Sequence, residues 1–133
     1  MTESELKRCL IKSLRAQEGE GFRIEDRYRI GVPDCLMKPK GLPGFLIEAK
    51  IVRGAKLICT ASQATYIDAF HDPPRFLAAI VGWKEADDAL YVGWPGEPLS
   101  ICRYVPQPRT LHSANWPITE LLWKWYHDEQ ERP

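Results

Sequence analysis

Asp34, Glu48 and Lys50 are the side chains of this sequence whose types and spacing could do chemistry together. Asp34 closes the run Gly31-Val32-Pro33-Asp34, and Glu48-Ala49-Lys50 follows the apolar run Phe45-Leu46-Ile47. Between the acids lies Lys38-Pro39-Lys40-Gly41-Leu42-Pro43-Gly44, a stretch of turn residues. If the flanking segments pair as an antiparallel hairpin centred on Gly41, Asp34 falls opposite Glu48 and Leu36 opposite Leu46. On the other face Cys35 meets Ile47, Met37 meets Phe45 and Pro33 meets Ala49. All of those pairs are apolar, as a buried face requires. Lys50 lies two residues beyond Glu48 and therefore shares the face of the two acids. Carboxylates directly opposed about 5 Å apart repel each other, unless a divalent cation held by oxygen ligands sits between them. A nearby lysine can then hold a water or stabilise charge developing on phosphorus. Acid, acid and lysine on one patch equip a protein for metal-assisted phosphodiester hydrolysis. Each part alone is ordinary. In a chain with 27% charged residues, Glu-x-Lys on a strand is usually a solvated face, and Gly-Val-Pro-Asp is usually a turn.

Other elements must hold that hairpin. Leu6, Leu10 and Leu14, with Ile11 beside them, recur at helical spacing and predict a helix over 2–17. Thr2 and Glu5 read as its capping box, and Gly19 and Gly21 end it. Phe22, Ile24, Tyr28 and Ile30 alternate with Arg23, Glu25, Arg27 and Arg29, which predicts a half-buried strand with a basic outer face. A second helix starts near Thr60, where Thr60-x-x-Gln63 is again a capping box, and runs to Phe70. Phe76–Trp83 and Ala89–Trp94 read as strands. The stretch 95–117 is rich in proline, with one short strand near Leu99–Tyr104, and a last helix covers Ile118–Gln130. The order is helix, three strands, helix, two strands and a C-terminal helix, an α/β arrangement with one mixed β-sheet flanked by helices.

At 133 residues the chain has the length of a single domain. No apolar run approaches the roughly 20 residues of a membrane span, so no membrane partner is expected. The N-terminus reaches charge at once, which argues against a secretory signal. Cys9, Cys35, Cys59 and Cys102 lie far apart without metal-ligand spacing, which suits a reducing cytoplasm. Eighteen basic residues balance eighteen acidic ones. The halves differ, however: residues 1–60 carry twelve Lys/Arg against eight Asp/Glu. If Glu3, Asp34 and Glu48 bind metal, the field left on that half attracts a polyanion.

Gly31-Val32-Pro33-Asp34 followed by Glu48-Ala49-Lys50 resembles the signature of the PD-(D/E)xK nuclease superfamily. The segment Thr60-Ala61-Ser62-Gln63-Ala64-Thr65-Tyr66 resembles the opening of the following helix in the VRR-NUC family and its small phage members, which are similar to Holliday-junction resolvases. The resemblance covers residues 1–94 and implies a restriction-endonuclease-like αβββαβ core, with 95–133 as a C-terminal extension carrying an extra helix. It implies an endodeoxyribonuclease using Mg2+ or Mn2+ on branched DNA, working as a homodimer in a bacterial or phage-infected cell. By that likeness Asp34 and Glu48 are metal-binding acids, Ala49 completes the ligand set between Glu48 and Lys50, and Lys50 is the catalytic lysine. A further acid comes from the first helix. Glu3 is favoured because it projects with the Leu6–Leu10 stripe, while Glu5 is already explained as a capping partner; the choice stays open. Gln63 either supports the site or only caps its helix.

Arg23, Arg27 and Arg29 on one strand face, Lys38 and Lys40 in the hairpin loop, and Arg53 and Lys56 after the motif strand are candidate phosphate contacts. Charged strand faces also serve solubility alone. His71, His112 and His127 have no metal-ligand spacing, and structural or surface roles suit them better. Trp123 and Trp125 cannot both face inward from one helix. Either is a candidate dimer anchor, with Trp116 a further aromatic beyond the motif region. The competing functions are a nuclease indifferent to DNA structure, a non-cleaving DNA-binding module of the same fold, and an interaction domain with a chance motif.

Overall fold

The leucine stripe of the first segment forms helix α1, Glu3–Ala16, with Leu6, Leu10 and Leu14 fully buried. Thr2 caps it by accepting the Glu5 N–H at 3.1 Å. Glu18 then turns the chain through a left-handed conformation, φ 64°, and the Gly19 N–H returns to the Leu14 carbonyl. The chain is described by a computed structural model over residues 1–24 and 31–130. Its strands are β1 (Glu20–Arg23), β2 (Cys35–Lys38), β3 (Gly44–Ile51), β4 (Phe76–Lys84), β5 (Ala89–Gly93) and β6 (Ile101–Tyr104), in that spatial order within one sheet. Helices α2 (Ala61–Phe70) and α3 (Ile118–Gln130) complete the fold. Among the described residues no helix is long and apolar enough to cross a membrane.

All neighbouring strands are antiparallel except β3 and β4, which run parallel. A parallel pair needs a crossover connection, and α2 supplies it. The β2–β3 hairpin has the predicted register, with Cys35 opposite Ile47, Leu36 opposite Leu46 and Met37 opposite Phe45. Side-chain alternation then divides the sheet between two layers. Phe45, Ile47, Ala49, Leu77, Ala79, Val81 and Trp83 pack with α1 and α3 in one core, while Leu46, Ala78 and Ile80 join Ile67 of α2 in a second.

Two expectations are corrected here. The first concerns Phe22, predicted to be buried but 54% exposed. Gly21 occupies the covered position instead, where even a Cβ would come within 3.2 Å of Leu14. Phe22 pairs with Leu36 on the α2 face, and α2 packs chiefly on β4 and β3, away from this edge strand. The continuation of that strand predicted through Arg27, Tyr28, Arg29 and Ile30 lies outside the described residues.

The second concerns Trp125, expected as one candidate for a dimer anchor on the C-terminal helix. Trp116, Ile118, Leu121, Leu122 and Trp125 are buried in the α1-side core. Trp116 packs on Trp83 with ring centroids 4.9 Å apart, and its backbone N–H donates to Ser13 Oγ of α1 at 2.7 Å. Trp125, only 1% exposed, packs against Phe45 and Trp94. It is therefore spent in the chain's own core and cannot anchor a second copy. Trp123 points outward, 53% exposed.

Candidate active site

The motif residues meet where β2 begins and β3 nears its end. Asp34 stands just before β2, and its carbonyl accepts the Ile24 N–H at 2.8 Å, tying the site to the chain after β1. Gly31, with φ +90°, lets its own backbone lie against the start of α2, since a Cβ there would come within 2.6 Å of Ser62. Asp34 and Glu48 interlock across the hairpin. The Asp34 backbone N–H donates to Glu48 Oε2 at 3.2 Å, and the Ala49 N–H donates to Asp34 Oδ2 at 3.1 Å. Register thus places two carboxylates side by side, each held by the other strand's backbone.

Glu48 is 2% exposed, and among the described residues it is the one buried charged side chain. Burial first and the Asp34 carboxylate second, opposed by Lys50, together raise the pKa of its carboxyl group to about 7. Lys50 Nζ lies 3.5 Å from Glu48 Oε1 and 3.9 Å from Glu3 Oε1. Gln63 Nε2 donates to Glu48 Oε1. Its own Oε1 accepts the Thr60 N–H at 2.9 Å, so one amide both closes the capping box and holds a carboxylate. The two roles weighed for Gln63 as alternatives coexist, because an amide has separate donor and acceptor ends.

Glu3 reaches Lys50, half-exposed, while Glu5 hydrogen-bonds Thr2 Oγ1 through its side chain at 3.2 Å. Sequence reasoning passed over Lys7, whose Nζ pairs with Asp34 Oδ1 at 3.0 Å. Its signal was available: Lys7 follows Glu3 by one helical turn and so projects from the same side of α1. Of the candidate phosphate contacts, Arg23 pairs opposite Cys35, and its guanidinium donates to Ser4 Oγ of α1 at 3.4 Å and lines a separate groove with Arg8 and Lys12. Arg53 and Lys56 line a cleft of about 720 Å³ that also contains Glu3, Lys50, Ile58 and Thr60. Lys38 lies four residues along the hairpin from Asp34, roughly 13 Å away at strand spacing, and Lys40 is paired with Glu18 at 2.5 Å. The structure does not bring those two to the site. Arg27 and Arg29 lie outside the described residues. Burial pushes the Cys35 thiol behind the site up to about 12, with the Asp34 charge adding to it; such a buried thiol is inert.

Among the described residues no three His, Cys, Asp or Glu side chains group as a ready metal cage. The expected trio of Glu3, Asp34 and Glu48 is not assembled, because Glu3 stands behind Lys50. A hard cation such as Mg2+ does not need a trio, since it keeps several waters and is commonly held by one or two carboxylates. The close Asp34–Glu48 pair fits that demand, and its mutual repulsion is the electrostatic signature of a place for positive charge.

This architecture defines an α/β protein with the fold of a resolvase. A solved structure with that fold is Hjc, a Holliday junction resolvase from the archaeal hyperthermophile Archaeoglobus fulgidus. The two chains superpose with a TM-score of 0.54 at 17% identity, over 70% of this chain and 71% of that one. At that identity the likeness is one of fold. No family model and no curated protein matches the sequence.

Proposed function

We propose that this protein is a divalent-metal-dependent endodeoxyribonuclease that acts on branched DNA such as a Holliday junction. The observation that carries the reading is the juxtaposition of Asp34, Glu48 and Lys50, with Lys50 Nζ 3.5 Å from Glu48 Oε1, beside an open cleft with cationic walls. The resolvase-like fold and the resemblance of the motif to the PD-(D/E)xK and VRR-NUC nucleases support it independently. In this reading Asp34 and Glu48, with Ala49 between Glu48 and Lys50, hold Mg2+ or Mn2+. The bound cation supplies Lewis-acid chemistry, lowering the pKa of water and offsetting phosphate charge. Glu48 must be ionised to contribute, and positive charge beside it reverses the effect of its burial. Gln63 fixes the orientation of that carboxylate. Lys50 orients the attacking water and offsets negative charge gathering at phosphorus. Water oxygen bonds to phosphorus and gives up a proton to solvent as a bridging P–O bond breaks, and the departing oxygen takes up a proton from solvent. Arg23, Arg53 and Lys56 hold flanking phosphates.

Purified protein incubated with labelled four-way junction, flap and linear duplex, with and without magnesium, tests the proposal. Magnesium-dependent cutting of the branched substrates is expected, and it should be lost in Asp34→Asn and Lys50→Ala proteins that still fold. Cutting that survives in a clean Asp34→Asn preparation overturns the site. Equal cutting of linear duplex overturns the preference for branches.

A further inference from the structure

We propose that Ile58 is a wedge that enters the base stack beside the scissile phosphate and so selects DNA whose stacking is already interrupted. This rests on the nuclease reading above and concerns how its substrate is chosen. A single exposed isoleucine is unremarkable on a protein surface; three observations set this one apart. It is the most exposed large hydrophobic among the described residues, at 69%. It also lines the cleft that contains Lys50, which Arg53 and Lys56 line as well. Among the described residues no side-chain hydrogen bond or ion pair engages either of those cations, so both are available to phosphates. In contrast, Arg15, Lys40 and Arg109 are paired with acids.

The third observation is that the segment displaying Ile58 is tied down on both sides. Leu57, its neighbour, is buried; the Leu57 N–H donates to the Glu97 carbonyl at 3.1 Å, and the Gly96 N–H donates to the Leu57 carbonyl at 2.6 Å. Further back, the Leu99 N–H reaches the Ala55 carbonyl at 3.2 Å and the Val52 N–H the Trp83 carbonyl at 2.8 Å. Ahead of it, Thr60 begins α2 with a closed capping box. An anchored backbone with Leu57 turned inward must turn Ile58 outward. The side chain is thus held at the cleft without the ordering cost a mobile loop would carry.

Proteins that kink DNA combine Arg and Lys contacts with an Ile, Leu or Phe inserted between base steps, and Arg53, Lys56 and Ile58 line one cleft. Insertion must unstack a step, which is least costly where the stack is already broken. At a branch point the helices end against one another, so a wedge near the catalytic lysine favours branched over continuous DNA without reading its sequence.

Junction and linear duplex of matched arm sequence, each carrying 2-aminopurine beside the expected cut, test this. Cleavage rates in magnesium and fluorescence on binding are both read, with wild type, Ile58→Ala and Ile58→Leu. Wild type should brighten the probe in the junction. Ile58→Ala should lose that brightening and lower the junction-to-linear ratio of cleavage rates by roughly tenfold or more, while Ile58→Leu keeps both. Because Ile58 is exposed, all three proteins should melt together. An unchanged ratio and unchanged brightening in Ile58→Ala overturns the wedge and leaves the nuclease standing, as does an altered oligomeric mass with an unchanged ratio. A wild-type protein that cuts none of these DNAs overturns the nuclease reading and the wedge with it.

Discussion

Glu48 is removed from water beside another carboxylate, and its titration records the cost. In an unfolded chain its pKa lies near 4.5, and in the fold it rises to about 7 because burial and the Asp34 charge disfavour ionisation. The folded state therefore holds a proton that the unfolded state has released throughout that interval. Stability from this group is fully present below the unfolded pKa and is lost as pH rises through the folded one. The loss amounts to about 3 kcal/mol in all. Urea unfolding in the presence of a chelator should accordingly show wild type losing stability as pH rises from about 4.5 to about 7, with Glu48→Gln losing much less. Parallel pH profiles for the two proteins would contradict this account of the site. The same residue explains why Lys7 and Lys50 flank the acids: without them the pair would carry its repulsion unrelieved.

Helix α2 connects the chemistry to the scaffold. It begins beside Glu48, and the Gln63 amide spans the helix start and the carboxylate. The two roles separate by substitution. Thr60→Ala removes the side-chain cap, at a cost of about 1 kcal/mol, yet leaves Gln63 facing Glu48. Gln63→Ala removes both interactions. A residue that orients a metal-holding carboxylate typically contributes 10–100-fold in activity or metal affinity. Gln63→Ala should therefore cut more slowly by roughly that factor and need more magnesium for half-maximal rate, whereas Thr60→Ala should keep its magnesium dependence. If Thr60→Ala shifts the magnesium curve as far as Gln63→Ala does, Gln63 acts only as a cap.

A chain of this size offers one Asp34–Glu48–Lys50 centre, and symmetric cuts on two strands of a junction need two. Two copies about a two-fold axis would present both with matched geometry. With Trp116 and Trp125 committed to the interior, Trp123 is the large aromatic on α3 left for a partner copy to cover, its ring 4.1 Å from that of His127. Sedimentation equilibrium at micromolar concentration should return about twice the chain mass, and Trp123→Ala should shift it toward one, as loss of a buried aromatic anchor does. A wild-type protein that sediments as a monomer and still makes paired cuts would remove the dimer.

The hairpin register and the shared face of Asp34, Glu48 and Lys50 were readable from the sequence because they depend on local rules. Side chains alternate with period two, the turn residues centre on Gly41, and the register so centred makes the Cys35–Ile47 face uniformly apolar. The leucine stripe of α1 and the capping box at Thr60 were legible for the same reason. The contacts that complete the site follow no such rule. Lys7 meets Asp34 and Gln63 meets Glu48 because two helices descend on the motif from separate parts of the chain. Periodicity says that a helix has an apolar face but not which strands that face will cover. That choice buried Trp125, left Phe22 exposed on the edge strand β1, and drew the C-terminal helix into the core. It follows from how helices of fixed length fill the two sides of one sheet, a property only the assembled fold possesses.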